Sequence, residues 1–203
     1  MKIICVGRNY VAHALELKNE VPQEPVLFIK PETSFLDYHG VFSYPDFTKD
    51  LHHECEIVLK VNKKGSKIKE EDALNHIGEI SLGIDFTARD VQSKLKEKSL
   101  PWEKAKAFDN AAVLGDFIPF DEKMKTQTLH FTLKKNDETV QVGDSSLMIF
   151  PMKLLIANIS EYFTLLPGDL IFTGTPAGVG PCAVGDNLVG TFENKEMFSF
   201  SIQ

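Results

Sequence analysis

Short segments with strand character run through most of this sequence, and few segments have helical character. Apolar and β-branched runs bounded by turn-forming residues predict strands at the N-terminus and at 26–30, 52–61, 77–86, 129–135, 170–173, 188–193 and 197–202. Helices are predicted at 9–18 with Asn9 as N-cap, at 87–98 with Thr87 as N-cap, and at 152–163 after Pro151. Because strands and helices do not alternate regularly, the pattern favours a β-rich α+β fold, a rolled sheet or sandwich with a few short helices.

Length and charge limit the classes of protein that the chain can be. Its 203 residues predict a single domain over 1–203 with one sizeable core. The formal net charge of −7 argues against a nucleic-acid partner, because phosphate binding requires a basic face. No apolar run approaches the roughly 20 residues of a membrane-spanning helix, and the N-terminal run is too short for a signal peptide. We therefore expect a soluble, cytoplasmic protein with no membrane partner.

The rarer residue types give two further expectations. Cys5, Cys55 and Cys182 are widely spaced without a CxxC motif, which predicts free thiols rather than a zinc site or a disulfide framework. Only Arg8 and Arg89 are arginines among the 22 basic residues. Arginine presents a rigid fork of five donors that lysine cannot replace, so both positions are candidates for contacts that need this geometry.

Three acidic residues near strand ends suggest a metal site. In a strand over 52–61, Glu54 and Glu56 would share one face with Cα atoms about 7 Å apart, and would repel each other unless a cation lay between them. Asp85, at the end of a later predicted strand, offers a third oxygen ligand. Such an all-oxygen set suits Mg²⁺ or Mn²⁺ and is poor for Zn²⁺. The alternative is the solvated outer face of an edge strand, with Asp85 assisting the cap of the next helix.

His13 and Glu16 are three residues apart on the predicted helix 9–18 and therefore share a face. A carboxylate beside an imidazole orients the ring and raises its basicity, so the pair is a candidate general base that activates water. The simpler alternative is a surface pair. The helix is short and polar and precedes a segment at 19–25 expected to be mobile, a pattern that fits a lid ordering over substrate.

Lysines and a glycine-rich loop provide candidate anion contacts. Lys30 ends an apolar strand, and Lys104 and Lys106 follow the only tryptophan, so one of that pair could face a pocket or both could be solvated. Residues 173–181, Thr-Gly-Thr-Pro-Ala-Gly-Val-Gly-Pro, could hold backbone N–H groups open for an anion or simply form a tight turn. The loop lacks the motifs of a P-loop and of a dinucleotide site.

Several motifs together resemble the fumarylacetoacetate hydrolase family. In chain order they are Gly7-Arg8-Asn9-Tyr10, Lys30-Pro31, His53-Glu-x-Glu56, Asp85-x-Thr-Ala-Arg-Asp90, Lys106-x-Phe-Asp109 and Thr173-Gly-Thr-Pro-x-Gly-Val-Gly180. Their order and spacing match over nearly the whole chain, and the first motif and the short length indicate the acylpyruvase and oxaloacetate decarboxylase branch. In one departure, Val113-Leu114-Gly115-Asp116 stands where many members have Pro-Leu-Gly-Pro, which leaves the shape of one pocket wall open.

The resemblance implies a mixed β-roll fold, a homodimer and a set of site residues. It implies Mg²⁺ or Mn²⁺ bound by Glu54, Glu56 and Asp85, and a His13–Glu16 dyad on a lid helix. Lys106 matches a substrate-anchoring lysine. Five further residues are predicted to bind substrate, and two of them, Arg89 and Gln92, match polar residues that border the metal site. The five are Arg8, Lys30, Arg89, Gln92 and Thr175.

The function implied is metal-dependent cleavage of the C3–C4 bond of acylpyruvates such as fumarylpyruvate. The metal would hold the carboxylate and carbonyl oxygens of a small 2-oxo acid and stabilise a pyruvate enolate. Oxaloacetate decarboxylation or tautomerisation would use the same chemistry. The alternatives are an isomerase or decarboxylase of 2-hydroxymuconate-type aromatic catabolites and a catalytically silent binding protein on the same scaffold. The second is disfavoured because all candidate ligands and both dyad residues are present.

Overall fold

The computed structural model describes residues 1–203 and has fifteen strands and four α-helices. The strands are β1 (Ile3–Val6), β2 (Leu27–Lys30), β3 (Phe35–Asp37), β4 (Leu51–His53), β5 (Cys55–Val61), β6 (Ile77–Asp85), β7 (Thr87–Ala88), β8 (Ala112–Leu114), β9 (Ile118–Pro119), β10 (His130–Lys135), β11 (Glu138–Asp144), β12 (Leu170–Phe172), β13 (Gly180–Pro181), β14 (Asn187–Phe192) and β15 (Lys195–Ser201). The helices are α1 (Val11–Glu16), α2 (Arg89–Glu97), α3 (Glu103–Lys106) and α4 (Met152–Tyr162), and 3₁₀ turns lie at Glu32–Ser34, Glu70–His76 and Ser145–Leu147. The predicted β-rich α+β class is confirmed.

The largest element is a mixed eight-stranded sheet in the order β2-β1-β12-β5-β6-β8-β3, with β9 paired to β6. The pairs β1–β12 and β3–β8 are parallel, and the other pairs in this sheet are antiparallel. A four-stranded sheet, β11-β10-β14-β15, and a small sheet, β13-β4-β7, complete the β structure. Because β5 lies between β12 and β6, the alternative that placed the glutamates on a solvated edge strand is wrong.

Apolar side chains pack against both faces of the large sheet around β5. A cluster of 35 buried residues includes Ile57 and Leu59 of this strand. A second cluster of 7 buried residues includes Val58, together with Cys5 of β1 and Phe172 of β12. Residues on either face of β5 are therefore removed from water, which makes an uncompensated charge on this strand costly.

The segment predicted as one strand over 52–61 is two strands separated at Glu54. β4 pairs with β7 and β13, whereas β5 pairs with β6 and β12. The backbone changes sheets at Glu54, whose carbonyl accepts a hydrogen bond from the Asp85 amide at 2.8 Å. This junction, rather than uninterrupted alternation along one strand, brings Glu54 to the end of β6.

The helix predicted over 152–163 is confirmed as α4, but the other two start later than predicted because neither predicted N-cap residue caps its helix. The buried Asn9 side chain donates to the carbonyls of Phe150 and Thr173, at 3.0 and 2.8 Å, and accepts from the Phe150 amide. Thr87 lies in β7, and its hydroxyl donates to Glu54 Oε1 at 3.0 Å. Both side chains instead satisfy buried groups of the interior, which need partners there.

The three cysteines are free and buried, as predicted. Burial raises the pKa of Cys182 to about 12 and also raises that of Cys55, so neither is a thiolate at neutral pH. No helix of the chain has both the length and the apolar character needed to cross a membrane.

Candidate metal centre and active-site cleft

Three buried carboxylates meet where β4, β5 and β6 come together. Glu54 lies at the β4–β5 junction, Glu56 is on β5, and Asp85 is the last residue of β6. Each offers one oxygen, and these three oxygens lie within 4.8 Å of one another. None of the three residues is more than 5% exposed. The structure therefore brings together the three predicted metal ligands.

Positive charge balances two of these carboxylates. Lys106, at the end of α3, donates to Glu54 Oε2 and Asp85 Oδ2, both at 2.8 Å, and Arg89 donates to Glu54 Oε1 at 2.5 Å. Burial favours a neutral Glu54, but the charges of Lys106 and Arg89 outweigh it and hold the pKa of Glu54 well below its usual value. Burial would likewise lower the pKa of Lys106, but Asp85 and Glu54 raise it above its usual value. The two partners thus keep each other charged.

Glu56 has no cationic partner. Its Oε2 accepts a hydrogen bond from the Gly174 amide at 2.6 Å. Burial, followed by the negative charges of Asp85 and Glu54, raises the pKa of Glu56 well above its usual value. Asp85 Oδ1 is also buried without a hydrogen bond of acceptable geometry, although Lys30 Nζ lies 2.7 Å away. The cluster can therefore accept additional positive charge.

These observations fit a divalent cation. Carboxylate oxygens are the hard ligands that Mg²⁺ and Mn²⁺ prefer, and no thiolate or imidazole belongs to the cluster. A cation among the three oxygens would offset the repulsion that raises the pKa of Glu56. It would also give Asp85 Oδ1, which has an ion pair with Lys30 but no hydrogen bond, a direct ligand contact.

A small polar cleft exposes Glu54 and Lys106. Its other charged or polar walls include Arg8, His13, Arg89, Gln92 and Lys96. Arg89 is held between Glu54 and Gln92, because its Nη1 donates to Gln92 Oε1 at 2.8 Å. The cleft can therefore offer several donors and positive charges to an anion placed beside the metal ligands.

His13 faces the same cleft, while Glu16 ties α1 to the glycine-rich loop. The His13 Nδ1 atom lies 3.6 Å from Glu16 Oε2, too far for a hydrogen bond, and is buried without a partner. Burial is the main cause that lowers the pKa of His13, so the ring is neutral at neutral pH. The Gly178 amide donates to Glu16 Oε1 at 3.1 Å. A small movement of either side chain would close the dyad.

The loop predicted as an anion cradle binds the protein's own carboxylates. Its backbone amides at Gly174 and Gly178 donate to Glu56 and Glu16, respectively. Both glycines have positive φ angles, +97° and +96°, which other residues adopt only with strain. The loop therefore connects the carboxylate cluster to Glu16 of the candidate dyad.

Comparison with known proteins identifies the family. The fumarylacetoacetate (FAA) hydrolase C-terminal family model matches residues 2–199. The chain belongs to the fumarylacetoacetate hydrolase family. It is 42% identical to oxaloacetate tautomerase YcgM of Escherichia coli K12 over 97% of this chain and 90% of that protein. It is 39% identical to the mitochondrial oxaloacetate tautomerase FAHD1 of Arabidopsis thaliana, over 100% of this chain and 91% of that protein.

A solved structure extends the likeness to a ligand-bound relative. Fumarylpyruvate hydrolase from Pseudomonas aeruginosa, in complex with Mn²⁺ and pyruvate, superposes with a TM-score of 0.93 at 33% identity. The match covers 100% of this chain and 89% of that one. These three relatives are named as enzymes of small oxo acids, and the structure of one of them contains Mn²⁺.

Two of the five predicted substrate contacts, Lys30 and Thr175, do not line the cleft. Lys30 is fully buried, and its ammonium donates to the carbonyls of Ala111 at 2.9 Å and Phe86 at 3.4 Å. The Thr175 hydroxyl donates to the Cys55 carbonyl at 2.8 Å. Lys30 thus contacts the predicted ligand Asp85 and nearby carbonyls, and Thr175 holds the backbone of β5. Contact of either side chain with substrate stays a prediction.

Lys96 and Trp102 line the cleft and were not predicted as site residues. A sequence signal for Lys96 exists, because Arg89, Gln92 and Lys96 have i, i+3, i+7 spacing and so share one helix face. Trp102 has no comparable signal, since its position depends on how α3 packs beside α2. Of the lysine pair at 104 and 106, only Lys106 is buried.

The departure from the Pro-Leu-Gly-Pro pattern does not reach this cleft. Val113 and Leu114 lie in β8, and Leu114, Gly115 and Asp116 line a different cleft with Phe35. The Ser81 hydroxyl donates to the carbonyls of Gly115 and Asp116. The segment that departs from the pattern therefore does not line the cleft that contains Glu54 and Lys106.

Proposed function

We propose that this chain is a divalent-cation-dependent enzyme of small 2-oxo acids whose main reaction is the enol–keto tautomerisation of oxaloacetate. The observation that carries the proposal is the buried Glu54–Glu56–Asp85 cluster opening, through Glu54, into a cleft rich in positive charge. The names of the two full-length relatives support the choice of reaction.

In this proposal, Glu54, Glu56 and Asp85 would hold Mg²⁺ or Mn²⁺. The cation, when bound, supplies electrophilic stabilisation for negative charge developing on a substrate oxygen. Arg89 and Lys106 add positive charge at the same place, and their ion pairs with Glu54 keep both side chains in position. A substrate with two carboxylates is favoured because the cleft walls carry more cations than anions.

Tautomerisation requires a proton to move between C3 and the C2 oxygen of the substrate. His13 is the group in the cleft suited to this step, because its ring is neutral at neutral pH and can accept a proton through a ring nitrogen. Glu16 would orient the ring and stabilise the imidazolium as it forms. The reaction needs no water nucleophile.

Acylpyruvate cleavage is the second candidate, and the same dyad favours it. His13 would take a proton from water, whose oxygen attacks C4. The C3–C4 bond then breaks with its electron pair on C3, and the proton returns from His13 to C3 to give pyruvate and a carboxylic acid. The relative bound to Mn²⁺ and pyruvate is named a fumarylpyruvate hydrolase, which supports this reaction. Oxaloacetate decarboxylation, which releases carbon dioxide directly, and isomerisation of muconate-type acids use the same cleft residues.

One substrate panel tests these candidates. Purified protein is stripped with EDTA, reloaded with Mg²⁺ or Mn²⁺, and assayed for decay of enol-oxaloacetate absorbance and for pyruvate release from acetylpyruvate, fumarylpyruvate and oxaloacetate. We expect fast, metal-dependent enol decay and slower pyruvate release. Pyruvate release from acylpyruvates alone would replace the main reaction by the second candidate. Inactivity towards every substrate would refute both.

We also propose that the chain forms a homodimer built from two single-domain subunits over 1–203. Apolar side chains at Val142, Leu147 and Tyr162 are about two-thirds exposed, at 67%, 65% and 68%, and burial in a subunit interface would remove them from water. Sedimentation equilibrium should give twice the chain mass, and a monomer at all concentrations would contradict the proposal. Cytoplasmic localisation stays a prediction, since one of the relatives is mitochondrial.

A further inference from the structure

Two cations in the cleft have no anionic partner. Arg89 and Lys106 are both paired with Glu54. Arg8 and Lys96 line the same cleft and are each partly buried, yet neither forms an ion pair or a side-chain hydrogen bond with any residue. Partly buried charges usually acquire partners, so two unpaired cations in one cleft need an explanation.

Lys96 is held towards the cleft by its surroundings. It shares a face of α2 with Arg89 and Gln92, and its ammonium lies 5.3 Å from the centre of the Trp102 ring. Trp102 in turn packs edge-to-face on Phe28, with ring centres 6.2 Å apart. A cation over an aromatic face is partly stabilised but keeps donors free for an anion.

The electrostatics indicate that these cations act on each other. Burial, and then the charges of Arg8 and Arg89, lower the pKa of Lys96 to about 8. Among the charged groups, Arg8 has the largest effect on the pKa of Lys96. An anion bound beside both side chains would offset the repulsion between these like charges.

We propose that Arg8 and Lys96 form a second carboxylate subsite, which binds the distal carboxylate of a dianionic 2-oxo acid. This inference rests on the proposed function, because the metal centre and Arg89 would receive the other, 2-oxo acid end of the substrate. The ligand class is 2-oxo diacids of four or more carbons. Monoanionic acids such as acetylpyruvate would leave both cations unpaired and would be poorer substrates.

The kinetic test compares a dianion with a monoanion. Lys96→Met removes the charge but keeps much of the apolar stem, and we expect it to raise KM for oxaloacetate about tenfold while changing kcat/KM for acetylpyruvate less than about twofold. Arg8→Met should behave in the same way, and Lys96→Arg should restore most of the oxaloacetate KM. Lys94→Met, on the exposed side of the same helix, is the control and should leave both substrates unaffected. Equal losses on the two substrates, or none, would overturn the subsite.

A binding test keeps this inference separate from the proposed function. Malate and lactate have the same 2-hydroxy acid end, but only malate carries a distal carboxylate. Calorimetry on the Mn²⁺-loaded protein should show malate binding about tenfold more tightly than lactate, with the preference lost in Lys96→Met. If no oxo acid is turned over but the malate preference holds and depends on Lys96, the proposed function fails and the subsite stands. Absence of the preference in the wild-type protein overturns the subsite whatever the enzyme catalyses.

Discussion

Glu54 and Glu56 are two residues apart and both buried, but their charges are balanced differently. Glu54 has Lys106 and Arg89 as partners, whereas Glu56 has only the Gly174 amide. In the metal-free protein, Glu54→Gln should therefore cost about 3 kcal/mol, because it leaves buried cations short of a partner. Glu56→Gln should change stability by less than about 1 kcal/mol, since a neutral side chain already suits that position. Urea unfolding in EDTA measures both, and equal losses would contradict this charge assignment.

His13 should determine how kcat/KM decreases at acid pH. Burial holds its pKa below the ordinary value of 6.5, and only the neutral ring can accept a proton. As pH falls through this lowered pKa, kcat/KM should decrease, and at neutral pH it should be level. His13→Ala should lower kcat by about 100-fold or more and remove the decrease of kcat/KM at acid pH. The control His39→Ala, at an exposed site, should keep the wild-type kcat and the wild-type decrease at acid pH. An unchanged decrease at acid pH in His13→Ala would exclude this role.

His53 should make the protein less stable in mild acid. Burial lowers its folded-state pKa from 6.5 to about 4, even though its hydrogen bond with Gln141 opposes the shift. Between these values the unfolded chain binds more protons than the folded one, so the free energy of unfolding falls as pH drops from about 6.5 towards 4. The full effect is about 3 kcal/mol. His53→Gln should show a shallower decrease between pH 7 and 5 in urea unfolding, and an identical slope would contradict the prediction.

At the scale of elements, the glycine-rich loop connects the carboxylate cluster to Glu16 of the proposed dyad. A Cβ atom on Gly178 would lie 2.0 Å from the Val140 carbonyl oxygen, whereas one on Gly185, at a similar positive φ, would contact nothing within 4 Å. Gly185→Ala should cost about 1 kcal/mol from backbone strain alone. Gly178→Ala should cost more and should also lower kcat, because it displaces the amide that holds Glu16. Thermal unfolding and kinetics separate the two effects, and identical behaviour of the variants would contradict the coupling.

The predicted and observed boundaries agree for some elements and differ for others. The apolar runs located β6 and α4 to within a residue, because burial on a sheet or helix face leaves a clear pattern. The break at Glu54 leaves no such pattern, because it arises when β4 and β5 pair in different sheets. Asn9 and Thr87 resemble helix caps in sequence, and only the folded chain shows the buried groups that they bind instead.

At the scale of the whole molecule, residues far apart in sequence assemble one site. The sequence motifs predicted the three carboxylates, Lys106 and His13 as site residues, and the fold does bring them close to one cleft. Sequence could not show that Glu56 lacks a cation while Glu54 has two, since that difference depends on how α2 and α3 pack against the sheet. The sequence also could not show that Lys96 lies in the same cleft as Arg8, because the two residues are far apart in the chain.

The central claim is that the carboxylate cluster binds a divalent cation on which the chemistry depends. Titration of EDTA-stripped protein with Mn²⁺ in a calorimeter tests it most directly. We expect one ion per chain for the wild-type protein and for Glu71→Gln, an exposed-site control. Glu56→Gln should weaken binding by more than about 100-fold, because it removes a ligand rather than a supporting contact. Absence of Mn²⁺ binding in the wild-type protein, or undiminished binding in Glu56→Gln, would contradict the account.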